Sequence, residues 1–273
     1  MEALDEVDHS KVNRWLKQRG IVLEQSFVSS LEDYVEEIKK DILSNQAIYN
    51  ILGLSHQIIS RWRASQNSTL TKGRLKYQAI LNIGKLLGLS DIDTEKFANE
   101  AGLSLEFIEL DVENINNAKI ARSIEISAEL FPYNIPKTSY KKPKYITVID
   151  KSNYTGFVKR FNILMSTYDG KIDDLCQSAL VSDRMFRYIR SGKHLTKESI
   201  LAILITINCT LDDIQDCLKK AGFILSNSLP ADMVIMWTLK NDLPNIKEVN
   251  PVHYINETLD NLRLPLLMTR LKN

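Results

Sequence analysis

Residues 53–63 read GLSHQIISRWR. Gly53 permits a tight turn, and two residues on comes Ser55, whose hydroxyl can accept a bond from an N–H left free in the first turn of a helix. From that cap, Ile59 and Trp62 fall on one helical face, while His56, Gln57, Ser60, Arg61 and Arg63 point elsewhere. One face suits a core. The other offers hydrogen-bond donors to an acidic partner.

Outward from this stretch, proline divides the chain of 273 residues. None occurs in residues 1–131, three follow (Pro132, Pro136, Pro143), and none comes again until Pro230. Because proline breaks helix interiors, the two clean stretches read as helical bodies. Between them FPYNIPKTSYKKPKY (131–145) reads as an extended, basic linker, followed by ITVID (146–150), which has the composition of a short strand. In the first body, Ser29 and Glu32 have capping-box spacing, with Leu31, Val35, Ile38 and Ile42 on one face. Ala101-Gly102 marks a helix end. Pro230 and Pro251 are placed to start two helices in the tail.

The second body repeats the first. With an offset of 127, Ile48, Leu52, Leu54, Ser55, Ile59, Trp62 and Arg63 meet Leu175, Ala179, Val181, Ser182, Phe186, Ile189 and Arg190. AGLSL (101–105) meets AGFIL (221–225) with an offset of 120. Literal identity is low, so the repeat rests on apolar pattern and element order.

Composition places the chain among soluble globular proteins, with 44% hydrophobic and 25% charged residues. The longest apolar run, ILAILITINC (200–209), is too short for a bilayer, which takes about 20 residues, so no membrane is expected as a partner. The start MEALDEVDHSK lacks the pattern of a signal peptide, and Cys176, Cys209 and Cys217 form no disulfide framework; both point to a cytoplasmic protein. Net charge is only +1. Its distribution is uneven: five basic residues (Arg61, Arg63, Lys72, Arg74, Lys76) and no acid lie between His56 and Gln78, and five more (Arg184, Arg187, Arg190, Lys193, Lys197) follow Asp183. Such local fields can dock a polyanion without a basic whole.

The pattern I-x-x-x-L-G-L-S-x-x-x-I-S-R-W, carried by Ile48, Leu52, Gly53, Leu54, Ser55, Ile59, Ser60 and Trp62, resembles the Xre/Cro phage-repressor type of helix-turn-helix domain. The second copy, L-x-x-x-A-L-V-S-x-x-x-F-R-Y-I-R-S-G-K, resembles it more loosely. The resemblance implies an all-α chain with two five-helix lambda-repressor-like helix-turn-helix domains and a helical C-terminal tail. The divisions are an N-terminal helical arm (1–25), a first domain (26–109), a linker (110–152), a second domain (153–226) and a tail (227–273). It also implies that His56, Gln57 and Arg61 face bases, with Ile58 against a thymine methyl and Ser60 also at the DNA, while Arg63, Lys72 and Arg74 hold phosphates. In the second copy the same positions hold Asp183, Arg184, Met185 and Tyr188, with Arg187, Arg190 and Lys193 near the backbone. The chain departs from the family at Tyr49, where a small residue is usual, at Arg63, where an acid is usual, and at Leu180, where glycine is usual.

The expected function is a sequence-specific regulator of transcription on double-stranded DNA, with no cofactor and no metal. The tail segments MVIMW (233–237) and LRLPLLM (262–268) are apolar enough to form a homodimer. A rival of another class is a protein-interaction adaptor, antitoxin-like or of a phage-defence type, favoured by the near-neutral charge and by Asp183. The four histidines are scattered without ligand spacing, and no nucleophile-and-base pair stands out, so an enzyme is not expected. Gly84-x-x-x-Gly88 reads as close helix packing, and Asp173-Asp174 and Asp212-Asp213 as helix-start acids.

Overall fold

The computed structural model describes residues 9–39, 49, 54, 57, 59–60, 80–81, 84, 89–105, 154–245 and 249–268. ITVID, the 131–145 linker and Trp62 lie outside them. Ten α-helices lie among the described residues: α1 (His9–Gln18), α2 (Phe27–Lys39), α3 (Asp91–Glu100), α4 (Tyr154–Met165), α5 (Ile172–Ser178), α6 (Asp183–Arg190), α7 (Lys197–Thr206), α8 (Leu211–Lys220), α9 (Pro230–Asn241) and α10 (Pro251–Asn261). There is no strand among them, only one isolated antiparallel bridge between Leu103 and Phe223.

The apolar run that is too short for a membrane forms the central helix. Ile200 to Ile205 are all buried, so α7 is apolar all round, as a helix enclosed by others must be. It packs against α5, α8 and α10. Thr196 caps it, its hydroxyl accepting from the Ser199 N–H at 3.3 Å. Arg160 on α4 reaches Asp213 at 2.6 Å and Asp216 at 2.7 Å, tying α4 to α8.

This core extends in both chain directions. Val12 and Leu16 of α1 belong to it, and so do Val234 and Ile235 of α9 and Val252, Ile255 and Leu259 of α10. The N-terminal arm therefore docks beside the tail: Trp15 meets Trp237 edge-on at 5.4 Å, and the Arg19 guanidinium lies 3.9 Å over the first ring and 4.6 Å over the second. Leu262, Leu264 and Leu267 are also buried within this chain, so much of the apolar tail is covered without a second copy. Pro230 and Pro251 start their helices as expected.

A second, smaller core gathers Phe27, Leu31, Val35, Tyr49, Leu54, Ile59, Ile80, Phe97 and Leu103. Leu31 and Val35 confirm part of the expected stripe, but α2 starts earlier than its capping-box spacing suggests. Ser26, not Ser29, supplies the starting hydroxyl, accepting from the Ser29 N–H at 3.2 Å. Gly84 faces α3 so closely that a Cβ there would stand 2.7 Å from Thr94 Oγ1, which is the close packing its sequence context suggests; Gly88 lies outside the described residues.

The two cores join at the bridge. The Ser104 N–H donates to Gly222 O and the Ile224 N–H to Gly102 O, both at 3.1 Å, and Phe223 packs against both cores. Behind it, Lys197 is 1% exposed and pairs at 2.5 Å with Asp232, which also accepts the Ser226 N–H at 2.7 Å. Lys197 therefore leaves the basic run in which its sequence position put it.

Glu100 is also buried at this junction, and its backbone carbonyl accepts from Ser226 Oγ at 3.4 Å. Burial raises its carboxyl above the usual range, with Glu24 and Asp33 adding and a Ser30 hydrogen bond and Lys96 opposing. A carboxyl raised in the fold destabilises it when ionised, and this cost is relieved as pH falls. Glu100→Gln is thus expected to raise the thermal midpoint at pH 7, with the gain shrinking towards about pH 4. An equal difference at both pH values would rule out ionisation as its cause.

Candidate nucleic-acid interface

The sequence from Ile172 onward builds two short helices across a tight turn. Helix α5 ends at Ser178 with Ala179 as its cap, and Leu180 takes a left-handed backbone (φ 56) at the position where the resemblance has glycine. A leucine there costs about 1–2 kcal/mol of backbone strain, part of which its side chain offsets by packing on the main core. The Val181 N–H closes the turn on Cys176 O at 2.9 Å. Ser182 then accepts the Met185 N–H at 3.2 Å and starts α6.

Helix α6 divides sharply. Phe186 and Ile189 are buried, while Asp183, Arg184, Arg187 and Arg190 are exposed. Lys193 follows on the surface beyond Gly192, whose positive φ of 70 turns the chain out of the helix. Four cations therefore share one exposed region of the second half: Arg184, Arg187, Arg190 and Lys193.

Their side chains have defined neighbours. Arg184 Nε donates to Tyr188 Oη at 3.0 Å, and its guanidinium lies 5.4 Å over that ring. That bond engages Nε rather than the two terminal amino groups, which are the pair suited to planar acceptors. His194 packs against the Tyr188 ring with centroids 5.0 Å apart. Arg187 Nε donates to Asp183 O, and Arg190 Nε to Asn162 Oδ1 on α4, both at 3.3 Å. Asn162 and His194 were missing from the sequence-derived set. The first is 28 residues from its arginine and carries no local signal, and the second reads in sequence as a lone histidine.

Asp183 stands in the first turn of α6, where the helix dipole favours an acid. Its charge and a hydrogen bond also act on the Cys176 thiol, which burial, first of all, pushes up to about 11. Burial likewise raises Cys209 to about 11 and Cys217 to about 12, so these thiols stay protonated at neutral pH. No group of three or more metal-binding side chains exists among the described residues, and no described helix is long and apolar enough to cross a membrane.

The first half repeats this geometry where it is described. The Leu54 N–H bonds Tyr49 O at 2.7 Å, the counterpart of Val181 to Cys176 with the offset of 127. Tyr49, Leu54 and Ile59 are buried, like Cys176, Val181 and Phe186. Gln57 and Ser60 are exposed, like Arg184 and Arg187. The bulk of Tyr49 is taken into the smaller core. His56, Arg61, Arg63, Lys72 and Arg74 lie outside the described residues. No family model, no curated protein and no solved structure matches this chain.

Proposed function

We propose that the chain is a sequence-specific double-stranded DNA-binding regulator of transcription whose two halves are helix-turn-helix domains of the five-helix, phage-repressor kind. The observation that carries this reading is α6: a serine-capped helix after a tight turn, anchored by Phe186 and Ile189, with Arg184 and Arg187 exposed. A helix so presented fits the major groove of B-DNA, where its first residues reach base edges. Arg184, braced by Tyr188, suits the O6 and N7 acceptors of a guanine. Lys193 and Arg187 suit phosphates, and Arg190, held by Asn162, supports the same flank. In the first half Gln57 suits an adenine, and Ser60 can bond either a base or a phosphate. His56, Arg61, Arg63, Lys72 and Arg74 complete the set by sequence position.

The test is selection of bound duplexes from a random-sequence pool by the full chain, followed by binding of the enriched duplex. Arg184→Ala is expected to weaken binding about 10-fold to 150-fold and to relax the preference for guanine at one position. No enriched sequence, or unchanged selectivity in the variant, would remove the base-reading role. The net charge of +1 and the exposed Asp183 favour a second reading, an antitoxin-like or phage-defence adaptor that binds protein instead. A stoichiometric protein partner surviving nuclease treatment of a cell extract, together with no duplex selected, would favour it.

A further inference from the structure

We infer that the chain is a dimer built into one polypeptide: a local two-fold axis passes through the Leu103–Phe223 bridge, so a single copy reads two unlike half-sites in inverted orientation. The inference rests on the DNA-binding reading for its ligand but on backbone geometry for its symmetry. Leu103 and Phe223 are equivalent under the offset of 120, and so are the two bonds that flank them. Ser104 donates to Gly222 and Ile224 to Gly102, each at 3.1 Å; exchanging the halves turns one bond into the other. An antiparallel pairing of a residue with its own equivalent is isologous, the signature of a two-fold contact and not of a head-to-tail one.

The equivalence extends well beyond the bridge. Gly102 and Gly222 are both left-handed, with φ 73 and 83. The Leu103 N–H returns to Ala98 O at 3.1 Å and the Phe223 N–H to Leu218 O at 2.9 Å, the same six-residue closure in each half. Ser90 caps α3 through Asp93 N–H, and Thr210 caps α8 through Asp213 N–H, again 120 residues apart. Helices α3 and α8 are each ten residues long. On this inference the same axis relates Tyr49, Leu54, Gln57, Ile59 and Ser60 to Cys176, Val181, Arg184, Phe186 and Arg187, for the two sets share the turn bond and the same pattern of buried and exposed residues.

Two consequences follow. A translational tandem would read a direct repeat, whereas a two-fold pair reads an inverted one. The half-sites differ because the base-reading residues differ: Gln57 in the first half stands where Arg184 stands in the second. Adenine is expected in one block at the place of guanine in the other.

The test takes the duplex enriched by the full chain and compares it with the same duplex carrying one block reversed, and with each block alone. The expected result is two unlike blocks on opposite strands, one chain per duplex by sedimentation, and an affinity loss of about tenfold or more when one block is reversed. A direct repeat, a single sufficient block, or two chains per duplex would overturn the two-fold inference while leaving DNA binding in place. Failure to enrich any duplex would instead strike the DNA reading, and hydrogen exchange then tests the bridge pairing on which the axis rests. The Ser104 and Ile224 amides are expected to be protected together, and Ser104→Pro to speed exchange at Ile224. Independent exchange at the two sites would contradict the pairing.

Discussion

Asp232→Ala is expected to lower the unfolding free energy by about 3–5 kcal/mol, read from the denaturant midpoint at an unchanged slope. Lys197 and Asp232 are 1% and 3% exposed in their side chains and stand 2.5 Å apart. Truncating the acid leaves a buried ammonium without its described partner and the Ser226 N–H without its described acceptor. Against a total stability of about 5–15 kcal/mol for an ordinary domain, this is severe. The cost lies in the uncompensated charge and not in any great net value of the pair. The double replacement Lys197→Met with Asp232→Leu should therefore recover most of the loss, as apolar pairs often substitute for buried ion pairs. A single variant within about 0.5 kcal/mol of wild type, the range of ordinary surface changes, would show that the pair is not buried as described.

Phe186→Ala is the second large effect, expected at about 3–5 kcal/mol. Helix α6 has eight residues, too few to hold itself in water. What fixes it is tertiary packing: Phe186 is 2% exposed, with the Phe161 ring of α4 6.5 Å from its own. The substitution leaves a cavity beneath the arginines and frees the helix that presents them. On the proposed function, duplex affinity should fall even at temperatures where the variant remains folded. Phe186→Leu keeps most of the volume and should lose far less of both. Equal losses for alanine and leucine would mean that packing volume does not govern this position.

Much of this arrangement was legible because turn chemistry is local. The left-handed positions after α3 and α8 need glycine, so AGLSL and AGFIL stand out in the chain and align. Ser55 and Ser182 announce a helix start by residue type, and Ser182 does cap α6. The apolar spacing of Phe186 and Ile189 places both inside, as it does Ile59. The failures are non-local. Nothing around Lys197 tells it from Lys193, because the acid that buries it lies 35 residues downstream on α9. The docking of α1 on the second half depends on Trp237, far from Trp15 in the chain. The bonds across the bridge join segments whose likeness is visible, but likeness alone does not say that they touch. Ser26 displaced Ser29 as the start of α2 because two candidate hydroxyls lie three residues apart, and their order in the helix is decided by where Phe27 enters the core.

The central claim, that the exposed cations about α6 hold DNA, is tested most directly by the affinity of the full chain for its selected duplex across about 50 to 200 mM salt. A straight, steep fall of log affinity with log salt is expected, with a slope smaller by about one for Lys193→Ala and for Arg187→Ala alike. An affinity indifferent to salt, or a slope that neither substitution changes, would contradict it.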